Sequence, residues 1–265
     1  MSTNSPLAVP DADRHLLDDA AREAGQLLAR YYRDGAKSWE KSKGHPVTEA
    51  DMAAEACLRR HLLGARPNYG WLSEETEDDG SRLTKHRVFV VDPMDGTRAF
   101  IKRRPHFTVS LAVVEAGQPI AAAVYNPLTD EMYSAGKDNG ATLNRNAISV
   151  SDSNELGDTK LLGDPDAFKT LIADGASIER RNSIAYRIAL VASGQFDGAV
   201  SPRPKSDWDL AAAQLIIEEA GGTLTDIDGN SYLYGQDSIR KAPPLAAGPR
   251  LHALLRERLS QWAKR

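Results

Sequence analysis

The stretch Val88-Phe89-Val90-Val91-Asp92-Pro93-Met94-Asp95-Gly96-Thr97 sets how the rest of the chain is read. Four consecutive apolar residues mark a strand buried on both faces. Asp92 stands at the C-terminal end of that strand. Pro93 has no N–H for a ladder hydrogen bond, so the spacing predicts that the strand stops there. Asp95 follows one turn later, and two carboxylates can therefore converge. Oxygen-only donors of this kind suit Mg²⁺. Gly96 permits close backbone approach to a ligand. A helix opening at Gly96-Thr97 would turn free N–H groups toward the same place, a setting for phosphate. Asp-Pro and Asp-Gly are also ordinary turn dipeptides, so the segment needs support from elsewhere in the chain.

Working outward, apolar residues recur at helical spacing over 11–34, from Leu16 to Tyr31, and a second helix runs from about Thr48 to Gly64. The polar segment Asp34–His45 between them reads as a loop. Downstream, Phe107–Val114 and Ile120–Tyr125 read as strands joined by a turn at Ala116-Gly117-Gln118, with a third at Glu131–Ser134. The middle of the chain is thus expected to be a largely antiparallel sheet. After Ser151 a strand is expected at Lys160–Leu162. Helices follow near Pro165–Ile172, Ile184–Val191 and Trp208–Ala220, the last stopped by Gly221-Gly222, with a surface helix over 249–265. The elements mix without a regular βαβ rhythm, which points to a layered α+β fold rather than a simple doubly wound sheet. The expected organisation is a single unit over 1–265. Its half 12–150 carries the metal site and its half 151–250 completes it.

Composition narrows the function classes. The chain has 265 residues, a net charge of −4 and one cysteine, Cys57. A protein that mainly bound nucleic-acid backbone would usually be basic. No apolar run reaches the roughly 18 residues of a membrane span, and the polar N-terminus lacks a secretory core. With no second cysteine for a disulfide, the expected location is the cytoplasm. A small anionic substrate is compatible with the acidic balance because bound metal supplies positive charge.

Three further acidic clusters accompany Asp92 and Asp95: Thr48-Glu49-Ala50-Asp51, Glu74-Glu75 leading into Glu77-Asp78-Asp79, and Ser206-Asp207-Trp208-Asp209. Read singly, the first and third fit helix capping boxes and the second a solvated loop. One metal site accounts for all of them together. Phosphatases of the haloacid-dehalogenase type also place Asp-Gly-Thr after an apolar strand. Their nucleophile and acid stand two residues apart, whereas Asp92 and Asp95 are three apart, so that reading is set aside.

These segments, in this order, resemble the inositol monophosphatase superfamily, which includes fructose-bisphosphatases and 3'(2'),5'-bisphosphate nucleotidases. Asp92-Pro93-Met94-Asp95-Gly96-Thr97 looks like its first signature, and Trp208-Asp209-Leu210-Ala211-Ala212 with Glu219-Ala220-Gly221-Gly222 its second. The resemblance spans about residues 12–250. It implies a layered αβαβα sandwich and two or three Mg²⁺ ions, with Mn²⁺ suited to the same ligands. Glu74, Asp92, Asp95 and Asp209 would be side-chain ligands and the Met94 carbonyl a backbone one. Gly96 and Thr97 would offer N–H groups to phosphate, with Asp95 and Asp209 beside the substrate. Asp51, Thr97 and Glu74 would act on the attacking water, and Glu75 would sit behind the ligands.

Phe100-Ile101-Lys102-Arg103 and Phe107-Thr108-Val109 look closer to bacterial nucleotidases of the CysQ type. These act on adenosine 3',5'-bisphosphate, a by-product of sulfate assimilation. Lys102, Arg103, Arg104, Arg203 and Lys205 are candidates to hold a second phosphate. The leading expectation is therefore a Mg²⁺-dependent, lithium-sensitive 3'(2'),5'-bisphosphate nucleotidase releasing AMP and phosphate. Inositol-1-phosphate hydrolysis is the alternative, and a metal or nucleotide sensor on the same fold is a minor one. A sensor has no need of a water activator such as Thr97 with Asp51. Such relatives are often homodimers. Ala99, Arg181-Asn182-Ser183 and Ala211-Ala212-Ala213 depart from the usual patterns, and all three bear on the substrate pocket.

Overall fold

The computed structural model describes residues 9–42 and 44–263. Helix α1 is Val9–Asp34, followed by strands β1 (Ser38–Ser42) and β2 (His45–Thr48), helix α2 (Glu49–Ala65) and strand β3 (Gly70–Ser73). Strand β4 (Arg87–Asp95) leads into the short helix α3 (Thr97–Ile101). Strands β5 (Thr108–Glu115), β6 (Gln118–Asn126), β7 (Glu131–Gly136), β8 (Ala141–Leu143) and β9 (Asn146–Ala147) complete the first half. Then come β10 (Lys160–Leu162), α4 (Lys169–Ala173), β11 (Ser177–Glu179), α5 (Ile184–Ala192), β12 (Gly198–Val200), β13 (Lys205–Ser206) and α6 (Asp207–Glu219). Strands β14 (Thr223–Asp226), β15 (Arg240–Lys241) and β16 (Pro244–Ala247) precede α7 (Pro249–Ala263). The polar N-terminus before residue 9 and the last two residues of the expected tail helix lie outside the described residues.

Strands β3 to β9 form one sheet in sequential order. β3 runs parallel to β4, and every other neighbour is antiparallel. Because successive residues of a strand face opposite ways, the run at 88–91 feeds two cores. Phe89 and Val91, with Leu111 and Val113 of β5, pack under α1 and α2. Val88 and Val90, with Ala112 and Val114, pack against α5 and α6. The second sheet has the order β11-β10-β12-β16-β14, and α7 covers it through Leu251, Leu255 and Leu259. The layers are therefore α1/α2, sheet, α5/α6, sheet, α7, the expected αβαβα sandwich. The β5–β6 turn is the two-residue kind, with Ala116 and Gly117 both at positive φ, as a tight hairpin requires.

Three local expectations need correction. Asp34–His45 is not all loop: β1 pairs antiparallel with β2 there. All five residues of β1 are exposed, so the segment has no buried face to imprint alternation on its sequence. Pro93 does not end β4. The strand runs on to Asp95 across a bulge, pairing Asp92 with Ser110 and then Asp95 with Thr108. The helix expected near 165–172 begins only at Lys169.

The α1 layer is pinned to the sheet by a buried charge. Asp13, 0% exposed, accepts from Arg66 Nε at 3.0 Å and Tyr69 Oη at 2.9 Å, with Arg87 Nη1 of β4 at 3.6 Å. Removing the anion leaves the Tyr69 hydroxyl and two guanidiniums without it, the expensive way to break such a cluster. Asp13→Ala is expected to lower stability by about 3 kcal/mol and the melting temperature by several degrees. A loss below about 1 kcal/mol in thermal unfolding would show that the cluster is incidental.

Candidate metal centre and active site

The bulge that lets β4 pass Pro93 also places its two aspartates. Asp92 Oδ1 accepts from its own Met94 N–H at 3.0 Å. Asp95 Oδ2 accepts from Ser183 Oγ at 2.7 Å and from Ala185 N at 2.8 Å, at the start of α5. Asp209 Oδ2 accepts from Ser206 N at 2.6 Å, at the start of α6. In each carboxylate one oxygen is thus fixed by backbone, and among the described residues no protein donor reaches the other. One oxygen from each of the three lies within 4.8 Å of the others.

Such a group costs free energy as it stands, because carboxylates this close repel and are poorly hydrated. Burial, and then the charges of Glu74, Asp95 and Asp209, push the Asp92 carboxyl well above the usual range. Burial and then Asp95 lift Asp209 to about 6, against the pull of Lys205. Among the described residues, no hydrogen-bond partner reaches the buried Asp92 Oδ2. A buried anionic oxygen without a donor, beside two more carboxylates, is what a hard divalent cation satisfies. The residues present fit such an ion.

Glu74 lies at the edge of this group, outside the 4.8 Å set. Its carboxyl is pushed up to about 7 by burial and by Glu75, Asp209 and Asp95, although Lys41 opposes the rise. Lys41 Nζ, on the β1–β2 hairpin that sequence reading missed, stands 3.5 Å from Glu74 Oε1 and 2.6 Å from Glu75 Oε1. Glu75 therefore faces the lysine. Glu55 is tied to Trp71, Ser73 and Thr76, which props the chain just before and after Glu74-Glu75. Asp78 of the same acidic run pairs with Arg82 instead.

Both capping readings hold, and each carboxylate has a further neighbour beyond its cap. Asp51 Oδ2 accepts from the N–H and hydroxyl of Thr48, at 2.7 and 2.6 Å, closing a capping box on α2. Its other oxygen, Oδ1, lies 2.9 Å from Thr97 Oγ1, which is also 3.2 Å from the Met94 carbonyl. Burial raises the Asp51 carboxyl against the hydrogen bonds of Thr48 and Thr97. Asp207, two residues before Asp209, instead pairs with Lys241 and accepts from Gly235 N.

Gly96 sits at φ +109°, and a Cβ there would stand 2.7 Å from the His106 carbonyl oxygen. The glycine is required by β5's approach as well as by any ligand. It precedes α3, whose first N–H groups, at Thr97 and Arg98, have no helical partner.

A cleft of about 570 Å³ opens over these groups, lined by Glu74, Met94 to Arg98, Ser183 and Asp209 among others. Of the five cations expected to hold a second phosphate, only Lys205 lines it. Arg103 lies 4.2 Å over the Tyr32 ring, and Lys102, Arg104 and Arg203 are absent from the walls. Arg181, Arg187 and Arg240 line it instead. Arg187 lies inside the apolar pattern of α5 and gave no sequence signal of its own.

The model of the inositol monophosphatase family matches residues 13–261. An inositol-1-monophosphatase of Rhizobium meliloti is 36% identical over 249 residues, covering 86% of this chain and 93% of that one. The Nus factor SuhB of Escherichia coli K12 is 34% identical over 265 residues, covering 93% and 96%. Among solved structures, the extragenic suppressor protein suhB of Bartonella henselae superposes with a TM-score of 0.83 at 31% identity, covering 94% of this chain and 98% of that one. An inositol monophosphatase from Anabaena superposes with a TM-score of 0.79 at 28% identity, covering 95% and 96%. With the layers, the carboxylate group and these matches agreeing, the chain belongs to the inositol monophosphatase family and is a metal-dependent phosphomonoesterase.

Proposed function

We propose that the protein hydrolyses a small cyclic-polyol phosphate, inositol-1-phosphate being the best-supported candidate, by direct attack of water on phosphorus. The carrying observation is the group of three carboxylates around the bare Asp92 oxygen, beside the free N–H groups of α3. The relatives named inositol-1-monophosphatase support this substrate over adenosine 3',5'-bisphosphate, and no nucleotidase stands among the similar proteins reported above. The CysQ-type assignment and its link to sulfur metabolism therefore gain no support.

In this reading Asp92, Asp95 and Asp209, with Glu74 and the Met94 carbonyl, would hold two or three Mg²⁺ ions, and Mn²⁺ suits the same oxygens. A bound divalent cation neutralises the ester dianion and lowers the pKa of water. The N–H groups of Gly96 and Thr97 receive phosphate oxygens, which fixes phosphorus relative to the protein. Thr97 Oγ1 accepts the water proton as its own passes to Asp51 Oδ1, 2.9 Å away. A carboxyl raised by burial is better suited to hold that proton than an exposed one. Lys205 and Arg240 add positive charge at the cleft wall.

Phosphate release from inositol-1-phosphate with Mg²⁺ is the expected activity. Asp95→Asn and Asp209→Asn should each lower kcat/KM at least about a hundredfold. Retention of more than a tenth of the activity in either variant would refute the ligand assignment.

The raised carboxyls give a second expectation. Glu74 at about 7 and Asp209 at about 6, against ordinary values of 4.5 and 3.8, bind more protons in the folded state than in the unfolded one between those limits. Their contribution to metal-free stability is present at low pH and lost as pH rises through 6–7. Metal-free protein should melt higher at pH 5.5 than at pH 7.5, and Mg²⁺ should reverse that order, because binding at the higher pH displaces fewer protons. Thermal melts with EDTA and with Mg²⁺ at both pH values measure this. A metal-free melting point that climbs over the same interval is the contrary result.

A further inference from the structure

Asp207 opens α6 two residues before Asp209, is fully buried and is absent from the cleft walls. Its N–H donates to the Ile239 carbonyl at 3.0 Å, and its Oδ2 accepts from Gly235 N at 2.6 Å. Lys241 Nζ, also buried, stands 2.8 Å from its Oδ1, off the hydrogen-bond direction, so this contact is a pairing of charges. All three partners belong to the stretch 235–241, which has no regular structure before β15. Arg82, 1% exposed, holds the same stretch. Its Nη1 donates to the Gly235 carbonyl at 2.7 Å and its Nη2 to the Gln236 carbonyl at 3.0 Å, while Asp78 matches its charge. This stretch leads into β15, which pairs with β13 over only two residues, Lys205 with Lys241 and Ser206 with Arg240. A two-stranded ribbon that short does not hold its own position. Yet it carries Lys205 and Arg240, which line the cleft and whose charges act on Asp209. Successive residues of a strand face opposite ways. Seating Lys241 inward on Asp207 therefore turns Arg240 toward the cleft. A desolvated ion pair is a poor source of stability, and apolar residues of the same volume would serve as well. What the pair does supply is a fixed register between the head of α6 and the ribbon.

We propose that Asp207 is a positioning residue for substrate binding: by seating Lys241 it registers the β13–β15 ribbon on α6 and holds Arg240 toward the anionic ester. This rests on the reading of the cleft as a phosphomonoesterase site, and it deepens that reading by naming what fixes the cation of its wall. Asp209 keeps its own tether to Ser206 N at 2.6 Å. The pair therefore acts on the binding of the ester and not on the binding of metal.

The test measures kcat, KM and the half-saturating Mg²⁺ concentration on inositol-1-phosphate. Asp207→Asn keeps an acceptor for Gly235 N but leaves Lys241 buried and unpaired, so it should melt below the wild type. Adding Lys241→Met removes the stranded charge and should raise the melting temperature again, without restoring binding. In that double variant KM should stand about tenfold above the wild type, with kcat and the Mg²⁺ requirement each within about threefold. Lys241→Arg, which keeps the pair, should hold KM within about threefold of the wild type. Arg240→Met should raise KM about tenfold in the wild type but no more than about twofold in the double variant, because both changes remove one interaction. A double variant that binds substrate like the wild type, or Arg240→Met effects that add in full, overturns the role of Asp207. So does a loss that falls on kcat and the Mg²⁺ requirement, because it places the damage at the metal group. Each of these results leaves the phosphatase reading standing. A wild type that releases no phosphate from inositol-1-phosphate overturns that reading instead.

Discussion

Carboxylates at close quarters repel, and this chain spends much of its architecture holding three of them together. Asp92, Asp95 and Asp209 are each tethered through one oxygen to a backbone N–H, and among the described residues no donor reaches the other oxygen. The tethers come from the β4 bulge, the first turn of α5 and the first turn of α6. The central helix layer and the first sheet therefore cannot shift relative to one another without opening the site. Lys41, on an exposed hairpin, partly offsets the charge at the Glu74–Glu75 edge. The rest of the negative charge calls for cations that the protein does not itself contain.

Two helix starts are used twice. Asp51 closes a capping box on α2 and faces Thr97, and Asp209 takes the N–H of Ser206 at the head of α6 while contributing to the metal group. Capping fixes a carboxylate rigidly at a helix end through bonds to the backbone. That leaves its second oxygen aimed by the helix rather than by side-chain rotamers. Rigid placement of this kind is what a site needs when its chemistry depends on position and charge. Apolar packing supplies the frame: Phe89 and Val91 on one face of β4, Val88 and Val90 on the other, lock the strand that carries Asp92 and Asp95.

How far this was legible in the sequence follows from which signals are local. The alternation in β5 and β6 and the apolar run of β4 are strong because both faces of those strands are buried. Asp92, Asp95, Asp51 and Asp209 stand out in the sequence because their types and spacings mean little apart and one thing together, and because those segments resemble a known family. The β1 strand was missed because no face of it is buried, and Lys41 with it. Pro93 reads as a stop, but a bulge accommodates a residue without an N–H. The cations of the cleft were misassigned for a different reason. Charged residues near the signature at 100–104 were nearest in sequence, but the cleft is closed by the 181–187 segment and by β13 and β15, which topology brings in from far along the chain. Arg187 sits among Ile184, Ile188 and Val191, so only the three-dimensional structure shows it facing the cleft.

The central claim is that the three bare oxygens belong to one cation centre. Crystals grown with Mn²⁺, measured at an energy where manganese scatters anomalously, test it most directly. The account predicts an anomalous peak about 2.1 Å from oxygens of Asp92, Asp95 and Asp209. Well-ordered carboxylates with no peak between them, at saturating Mn²⁺ and neutral pH, would contradict it.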